Sequence, residues 1–431
     1  MEKIELQAVE ETLYKEVLPN GLTVYILPKK GYSKTYATYT TKYGSIDRTF
    51  TPLHAEEPIV VPDGIAHFLE HKMFEKEEGD IFHTFSQQGA SVNAYTSFTR
   101  TAYLFSATSN VEKNMTTLLD FVQAPYFTEE TVEKEKGIIA QEIMMYDDSP
   151  DWRIYFGAVE NMYREHPVRI DIAGTVESIQ DITKDHLYTC YETFYHPSNM
   201  LLFVVGAVDV EQTIQLIRDN QAARELTNEP NVERFIAEED LNVQVKERTI
   251  AMDVFKPKVN IGFKLPAGQL KGQAFLKREL VYQLGLDLLF GTTTPFYEKA
   301  YDEGLIDESF GYDVTLESTF AFATISTDTF EADTFREAVQ ETFARREELL
   351  TEEALERLIK RKIGLFIRSL NSPEFIANQF TNYAFHDTML FDHVDVYRSI
   401  TLEDVKEALQ WFVQPNNSTV MQIVPMEKEE A

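Results

Sequence analysis

The chain has 431 residues, 43% of them apolar and 26% charged, which is the composition of a packed globular protein of about two to four domains and not of a disordered one. Its net charge of −31 argues against nucleic acid and anionic membrane surfaces as partners. No apolar run approaches the ~18 residues of a transmembrane helix, the first residues lack a secretory core, and Cys190, the only cysteine, allows neither an internal disulfide nor a thiolate metal site. A cytoplasmic location is the expectation. Most of the acidity reads as solvated surface; a second reading lets part of it line a cavity that attracts basic peptides.

In chain order, Asn20-Gly21 is a turn signal, and the β-branched and aromatic run 22–27 reads as a strand. Residues 35–43, rich in Thr and Tyr, read as the next strand, and 49–62 as a polar loop. A helix follows, with Asp63 as its expected cap. It carries His67-Phe68-Leu69-Glu70-His71. Residues four apart lie on one helix face, so His67 and His71 can offer two imidazoles to one metal ion, with Glu70 beside them. This is the inverted zinc motif H-x-x-E-H. Taken alone, the run also reads as an amphipathic helix with two exposed histidines.

Residues 80–88 read as a helix ending at Gly89, and 90–106 as two strands joined near Thr99-Arg100. Helices are expected over 110–124 and 128–146, the second broken by Asp148-Ser-Pro-Asp. Residues 160–167 read as helix and turn, Thr183 as the cap of a helix over 184–193, 199–206 as a buried strand and 208–218 as a helix. The chain then thins into polar residues around Asn228-Glu-Pro-Asn, which places the domain boundary there, giving 1–228 and 229–431.

The second half repeats the first. The Pro-terminated helix over 133–150 is matched by 355–373. Tyr195-His-Pro-Ser-Asn and its apolar strand are matched by Val413-Gln-Pro-Asn-Asn, and an Ile-Thr-led helix precedes each, from Ile182 and from Ile400. The fold class is therefore α+β: two domains of one topology, each a mostly antiparallel sheet with helices packed on one face. The second copy lacks the metal residues. Its helix near 277–289 has no histidine, and Lys360-Arg-Lys-Ile-Gly stands where the first half is acidic. That copy is left to binding, gating or dimerisation.

A catalytic zinc needs three protein ligands and an open position. The helix after residue 128 offers Glu133, Glu135 and Glu142. Glu135 and Glu142 lie two turns apart and share a face, so one can bind the metal and the other can orient a ligand histidine. Favourable placement near a helix start accounts for Glu129, Glu130 and Glu133. It does not account for Glu142, which sits among Ile139, Ala140, Ile143 and Met144.

These residues resemble the pitrilysin family of zinc metallopeptidases, which includes insulin-degrading enzyme and the mitochondrial processing peptidase. The resemblance runs in order through Leu18-Pro-Asn-Gly-Leu-Thr-Val-Tyr, Gly64-Ile-Ala-His-Phe-Leu-Glu-His, Gly89-Ala-Ser-Val-Asn-Ala-Tyr-Thr-Ser, Glu133-Lys-Glu-Lys-Gly-Ile-Ile-Ala-Gln-Glu and Gly174-Thr-Val-Glu-Ser-Ile. It is closest to the small bacterial cytosolic, two-domain members. It implies one Zn2+ per chain on His67, His71 and Glu142, with Glu135 supporting the site from behind. It implies Glu70 as the general base, and Asn93-Ala94-Tyr95 as an edge strand that takes the substrate backbone by β-addition. The implied activity is an endopeptidase acting on peptides or unfolded segments. His166-Pro167 matches a structural turn.

The resemblance also implies that two such chains close into a chamber, as a homodimer or as a heterodimer with a paralogous two-domain chain. Many family members carry an Arg and a Tyr in the second domain that hold the substrate carbonyl. Here Ala300 and Asp307 fall at those positions, and neither is a cationic or phenolic donor. The expectation is a partner chain that supplies the Arg/Tyr pair. In a shifted alignment, Tyr301 or Tyr312 with a nearby basic residue would serve instead. The alternative function is a non-catalytic structural or peptide-binding subunit of the same fold, although such subunits usually lose the motif intact here. His54, His83, His186, His196, His386 and His393 lack metal spacing, Cys190 reads as buried, 320–325 as a core strand and 426–431 as a frayed tail.

Overall fold

The computed structural model describes residues 1–426 apart from 8, 78 and 230. The tail expected to fray over 427–431, and Pro230 of the boundary loop, lie outside the described residues. Two compact units form, and they are not two contiguous halves. The first comprises Met1–Met144, Ile170–Ile236 and Ile367–Phe385; the second comprises Met145–Arg169, Ala237–Phe366 and the chain from His386 onward.

The first stretch builds β1 (Glu2–Leu6), β2 (Glu11–Val17), β3 (Thr23–Pro28), β4 (Thr35–Thr41) and the short pair β5 (Thr49–Phe50) and β6 (Ile59–Val60). Helix α1 (Ile65–Phe74), the short pair β7 (Glu75–Lys76) and β8 (Gly79–Asp80), α2 (Ile81–Gln87), β9 (Ala90–Thr96), β10 (Thr101–Ala107), α3 (Val111–Val122) and α4 (Glu129–Asp147) follow. Next come α5 (Pro150–Met162), α6 (Val176–Gln180), α7 (Lys184–Phe194), β11 (Met200–Gly206) and α8 (Val210–Ala222). The remainder runs β12 (Glu247–Met252), β13 (Lys258–Leu265), α9 (Gly272–Phe290), α10 (Pro295–Asp302), β14 (Gly311–Leu316), β15 (Ala321–Asp328), α11 (Ala332–Ala344), α12 (Arg346–Leu349) and α13 (Glu352–Ser369). It ends with α14 (Pro373–Ala384), α15 (His393–Ser399), α16 (Leu402–Leu409) and β16 (Ser418–Pro425).

The sheets show the duplication directly. The first has the order β1-β2-β3-β11-β4-β10-β9 and the second β12-β16-β13-β15-β14. In each, one parallel pair, β3 with β11 and β12 with β16, adjoins antiparallel ladders. Strands β3-β11-β4-β10-β9 therefore repeat as β12-β16-β13-β15-β14. The hairpin β1–β2 is an addition the sequence reading did not anticipate, because Glu2-Lys-Ile-Glu-Leu6 buries only Leu6 fully.

Alternation along the strands assigns the two faces of the first sheet. Ala37, Tyr39, Tyr103, Phe105, Leu202 and Val204 enter the main core with Phe68, Leu69 and Met73 of α1 and Leu118 and Leu119 of α3. The opposite face takes a helix from the second half. Phe380 of α14 meets Tyr25 and Phe203, with ring centroids 4.7 and 4.5 Å away. The exchange is reciprocal: Ile154 and Ala158 of α5 pack on Met421 and Ile423 in the second unit. Burying each large apolar side chain is worth about 1.5–3 kcal/mol, which fixes both exchanged helices where they lie.

The boundary expected at 228/229 falls instead at 236/237. Arg234 explains the shift: its Nε donates to buried Asp47 at 2.8 Å, and its backbone forms an isolated bridge with Phe50. Cys190 is fully buried, which pushes its thiol up to about 12. Among the described residues, no helix is long and apolar enough to cross a membrane.

Candidate metal centre

Helix α1 starts at Gly64, whose φ of 87° is left-handed. A Cβ there would sit 2.3 Å from the Ala173 carbonyl oxygen, so only glycine fits. Asp63 is not the cap expected of it. Its carboxylate pairs with Arg48 at 3.1 Å, and its carbonyl accepts from Ser178 Oγ at 3.0 Å. The Gly174–Ser178 stretch thus clamps the entry to α1. Helix α4 is set by Val132, Ile139 and Ile143, all buried, and by Lys136, whose Nζ donates to the Gln180 carbonyl at 2.8 Å. That rotation leaves Glu135 and Glu142 for the histidines.

The His67 and His71 rings lie 4.5 Å apart between centroids. Glu142 Oε1 is 3.8 Å from His67 Nε2, and its Oε2 is 3.5 Å from His71 Nε2. One donor atom from each residue falls within 4.8 Å of the others, the only such group of three among the described residues. These separations exceed hydrogen bonds. Ligands about 2.0–2.2 Å from a common tetrahedral ion stand about 3.4 Å apart, so two imidazoles and a carboxylate fit zinc at this point. His71 Nδ1 is 3.1 Å from Glu135 Oε1, the kind of support that orients a ligand imidazole. His67 Nδ1 is buried and has no hydrogen-bond partner among the described residues.

The electrostatics set the two histidines apart. Burial, followed by the neighbouring His71, lowers His67 to about 4, so its ring is neutral near pH 7. Burial also opposes charge on His71. There the hydrogen bond to Glu135 and the carboxylates of Glu70 and Glu142 outweigh it, and the pKa lies above the ordinary value. Burial raises Glu70, against a hydrogen bond from Thr96. Thr96 Oγ1 donates to Glu70 Oε2 at 2.7 Å.

Strand β9 is the last strand of its sheet, and no strand among the described residues pairs with its outer edge. Ser97 N–H donates to the Arg100 carbonyl at 2.8 Å, so 97:100 is a hydrogen-bonded pair. Alternation makes 96:101 and 94:103 non-hydrogen-bonded pairs, which turns the N–H and C=O of Ala94 and Thr96 toward the free edge. The Ala94 N–H is taken by Asn93 Oδ1 at 2.9 Å. Val92 and Ala94 face the core side with α1, while Asn93 and Tyr95 face the other way.

The structure thus gathers His67, Glu70, His71, Glu135 and Glu142, and it puts Asn93, Ala94 and Tyr95 on an open edge. Ala300 and Asp307 lie in the second unit and are otherwise engaged. Ala300 is buried, with its carbonyl accepting from Leu305 and Ile306, and Asp307 pairs with Lys256 at 2.6 Å. Tyr312 donates to Asp287 at 2.9 Å, and Tyr301 stacks on Tyr297. With Gly137 matched to Gly364 by the repeat, Lys362 stands in the place of Glu135 and pairs with Asp287 of α9 at 2.5 Å. An ion pair there fills the ground that metal-site residues hold in the first unit. Thr96 was missed from sequence. Its signal was a hydroxyl residue two beyond Ala94 on the same strand face.

This fold and donor set define a class, the inverted-motif metallopeptidases. Residues 60–176 match the model of the insulinase family, peptidase family M16, and 181–362 match the M16 inactive domain. The uncharacterised zinc protease YmfH of Bacillus subtilis is 58% identical over 98% of this chain and 99% of that protein. The chain belongs to peptidase family M16, a family of zinc proteases. An M16-like peptidase from Alicyclobacillus acidocaldarius superimposes with a TM-score of 0.94 at 40% identity, covering 98% of this chain and all of that one. The periplasmic protease PqqL of Escherichia coli shares the fold, with a TM-score of 0.72 at 19% identity over 99% of this chain but 48% of PqqL.

Proposed function

We propose that this protein is a zinc endopeptidase that binds one ion per chain through His67, His71 and Glu142. The observation that carries this reading is the convergence of those three donors beside buried Glu70. When bound, zinc supplies Lewis acidity, lowering the pKa of water from about 15.7 to about 7 and polarising a carbonyl. Glu135 holds the His71 ring in place from behind. Glu70 takes the proton of the attacking water and passes it to the leaving amine. A peptide adds to the free edge of β9, where Asn93 must release the Ala94 N–H. Recognition through main-chain groups makes few demands on sequence.

A second two-domain chain completes the chamber in this reading and brings the Arg/Tyr pair. Two features support it: Ala300 and Asp307 offer neither group, and PqqL is about twice this length. The location is cytoplasmic. The test is cleavage of quenched peptides by the purified chain, alone and with a paralogous two-domain chain. Internal cleavage that a chelator removes and zinc restores is expected; cleavage indifferent to the chelator, or none in either preparation, contradicts the proposal.

A further inference from the structure

We propose that Thr96 is a positioning residue for Glu70, tying that carboxylate to the strand a substrate would lengthen. This rests on the reading of Glu70 as the general base. Thr96 Oγ1 donates to Glu70 Oε2 at 2.7 Å. The neighbouring Thr101 Oγ1 is a donor in its contacts with the Tyr43 carbonyl, at 2.9 Å, and with Thr96 Oγ1, at 3.4 Å, so the Thr96 proton is left for the carboxylate. A β-branched side chain has few χ1 choices, so Thr96 presents its oxygen in a defined direction. Glu70 has three side-chain torsions and is 8% exposed. Thr96 restrains one carboxylate oxygen, and Oε1 remains for the reaction.

The second observation is the placement of Thr96 in its strand. Its main-chain N–H and C=O face the free edge of β9, by the pairing set at Ser97 and Arg100. A peptide added to that edge bonds the backbone of the same residue whose side chain holds the base. Seating the substrate and aiming Glu70 are then one event, and an unseated peptide meets a less ordered base.

The test compares T96V, T96S and E70Q in the full, zinc-loaded protein, with its partner chain where turnover requires one. T96V should lower kcat about 10- to 100-fold with KM nearly unchanged, the scale of a misaligned catalytic group. T96S, which keeps the hydroxyl, should restore most of that rate. Zinc content and peptide affinity in the E70Q background should not respond to T96V. The readout independent of turnover is crystallographic: Glu70 should leave its place in T96V and keep it in T96S. An unmoved Glu70 in T96V, an unchanged kcat, or T96S as impaired as T96V overturns the inference. Full turnover by E70Q refutes the reading of the base itself, whereas inert E70Q with fully active T96V refutes only the role of Thr96.

Discussion

Glu135 offers the sharpest dissection of the metal site, because it touches a ligand without being one of the three converging donors. Its Oε1 lies 3.1 Å from His71 Nδ1, and the side chains of Glu135 and His71 are 12% and 28% exposed. A hydrogen bond to a charged group in such a setting contributes about 1.5–3 kcal/mol. If that support is felt at the metal, E135A should weaken zinc binding about 10- to 100-fold, the usual cost of losing a partner behind a ligand histidine. E142Q removes a donor from the group of three and should cost more. Competition against a chromophoric chelator measures both variants at one pH. Zinc affinity in E135A within about twofold of wild type would refute this role, since a bond worth at least ~1.5 kcal/mol predicts a loss of at least about tenfold. So would an E142Q protein that binds as well as E135A.

Gly64→Ala forces a side chain into a left-handed position against the Ala173 carbonyl, so the start of α1 should lose about 1–3 kcal/mol and the thermal midpoint should fall; an unchanged midpoint would contradict the clamp. Burial alone would raise Glu239, but Lys264 Nζ at 2.6 Å and three backbone N–H donors from residues 164–166 hold it at about 2, below its ordinary 4.5. With the folded pKa depressed, the stabilisation is complete above about 4.5 and is lost as the pH falls toward 2. Denaturant titration should therefore find E239Q weaker than wild type by roughly 2–3 kcal/mol near pH 7, with the difference vanishing toward pH 2. Asn93→Ala frees the edge N–H of Ala94, so peptide binding to the E70Q protein should tighten about 2- to 10-fold; weaker binding would mean that Asn93 serves the bound peptide instead.

The site was legible where chemistry is local. Two histidines and a glutamate within five residues declare a helix face, and Glu142 stands out because Ile139 and Ile143 beside it are buried. The duplication was legible for a similar reason: turns and apolar strands recur in order, and the two sheets follow them strand for strand. What escaped was set by distant partners. The apolar faces of α5 and α14 announce burial but not which sheet receives them, and each goes to the other half's sheet. Asp63 has the composition of a cap, yet Arg48 and the carbonyl of Ala173 leave that post to Gly64. Residues 231–236 look like linker until Arg234 finds Asp47. Thr96 looks like any strand threonine, and only the fold brings it to Glu70.

The central claim is that Glu70 moves the proton at a zinc site it does not build. Zinc content and peptide turnover measured together on wild type and E70Q test it most directly. The account predicts about one zinc per chain in both proteins, with turnover in the wild type and none in E70Q. Wild-type turnover by E70Q, or wild-type protein that binds no zinc, would contradict it.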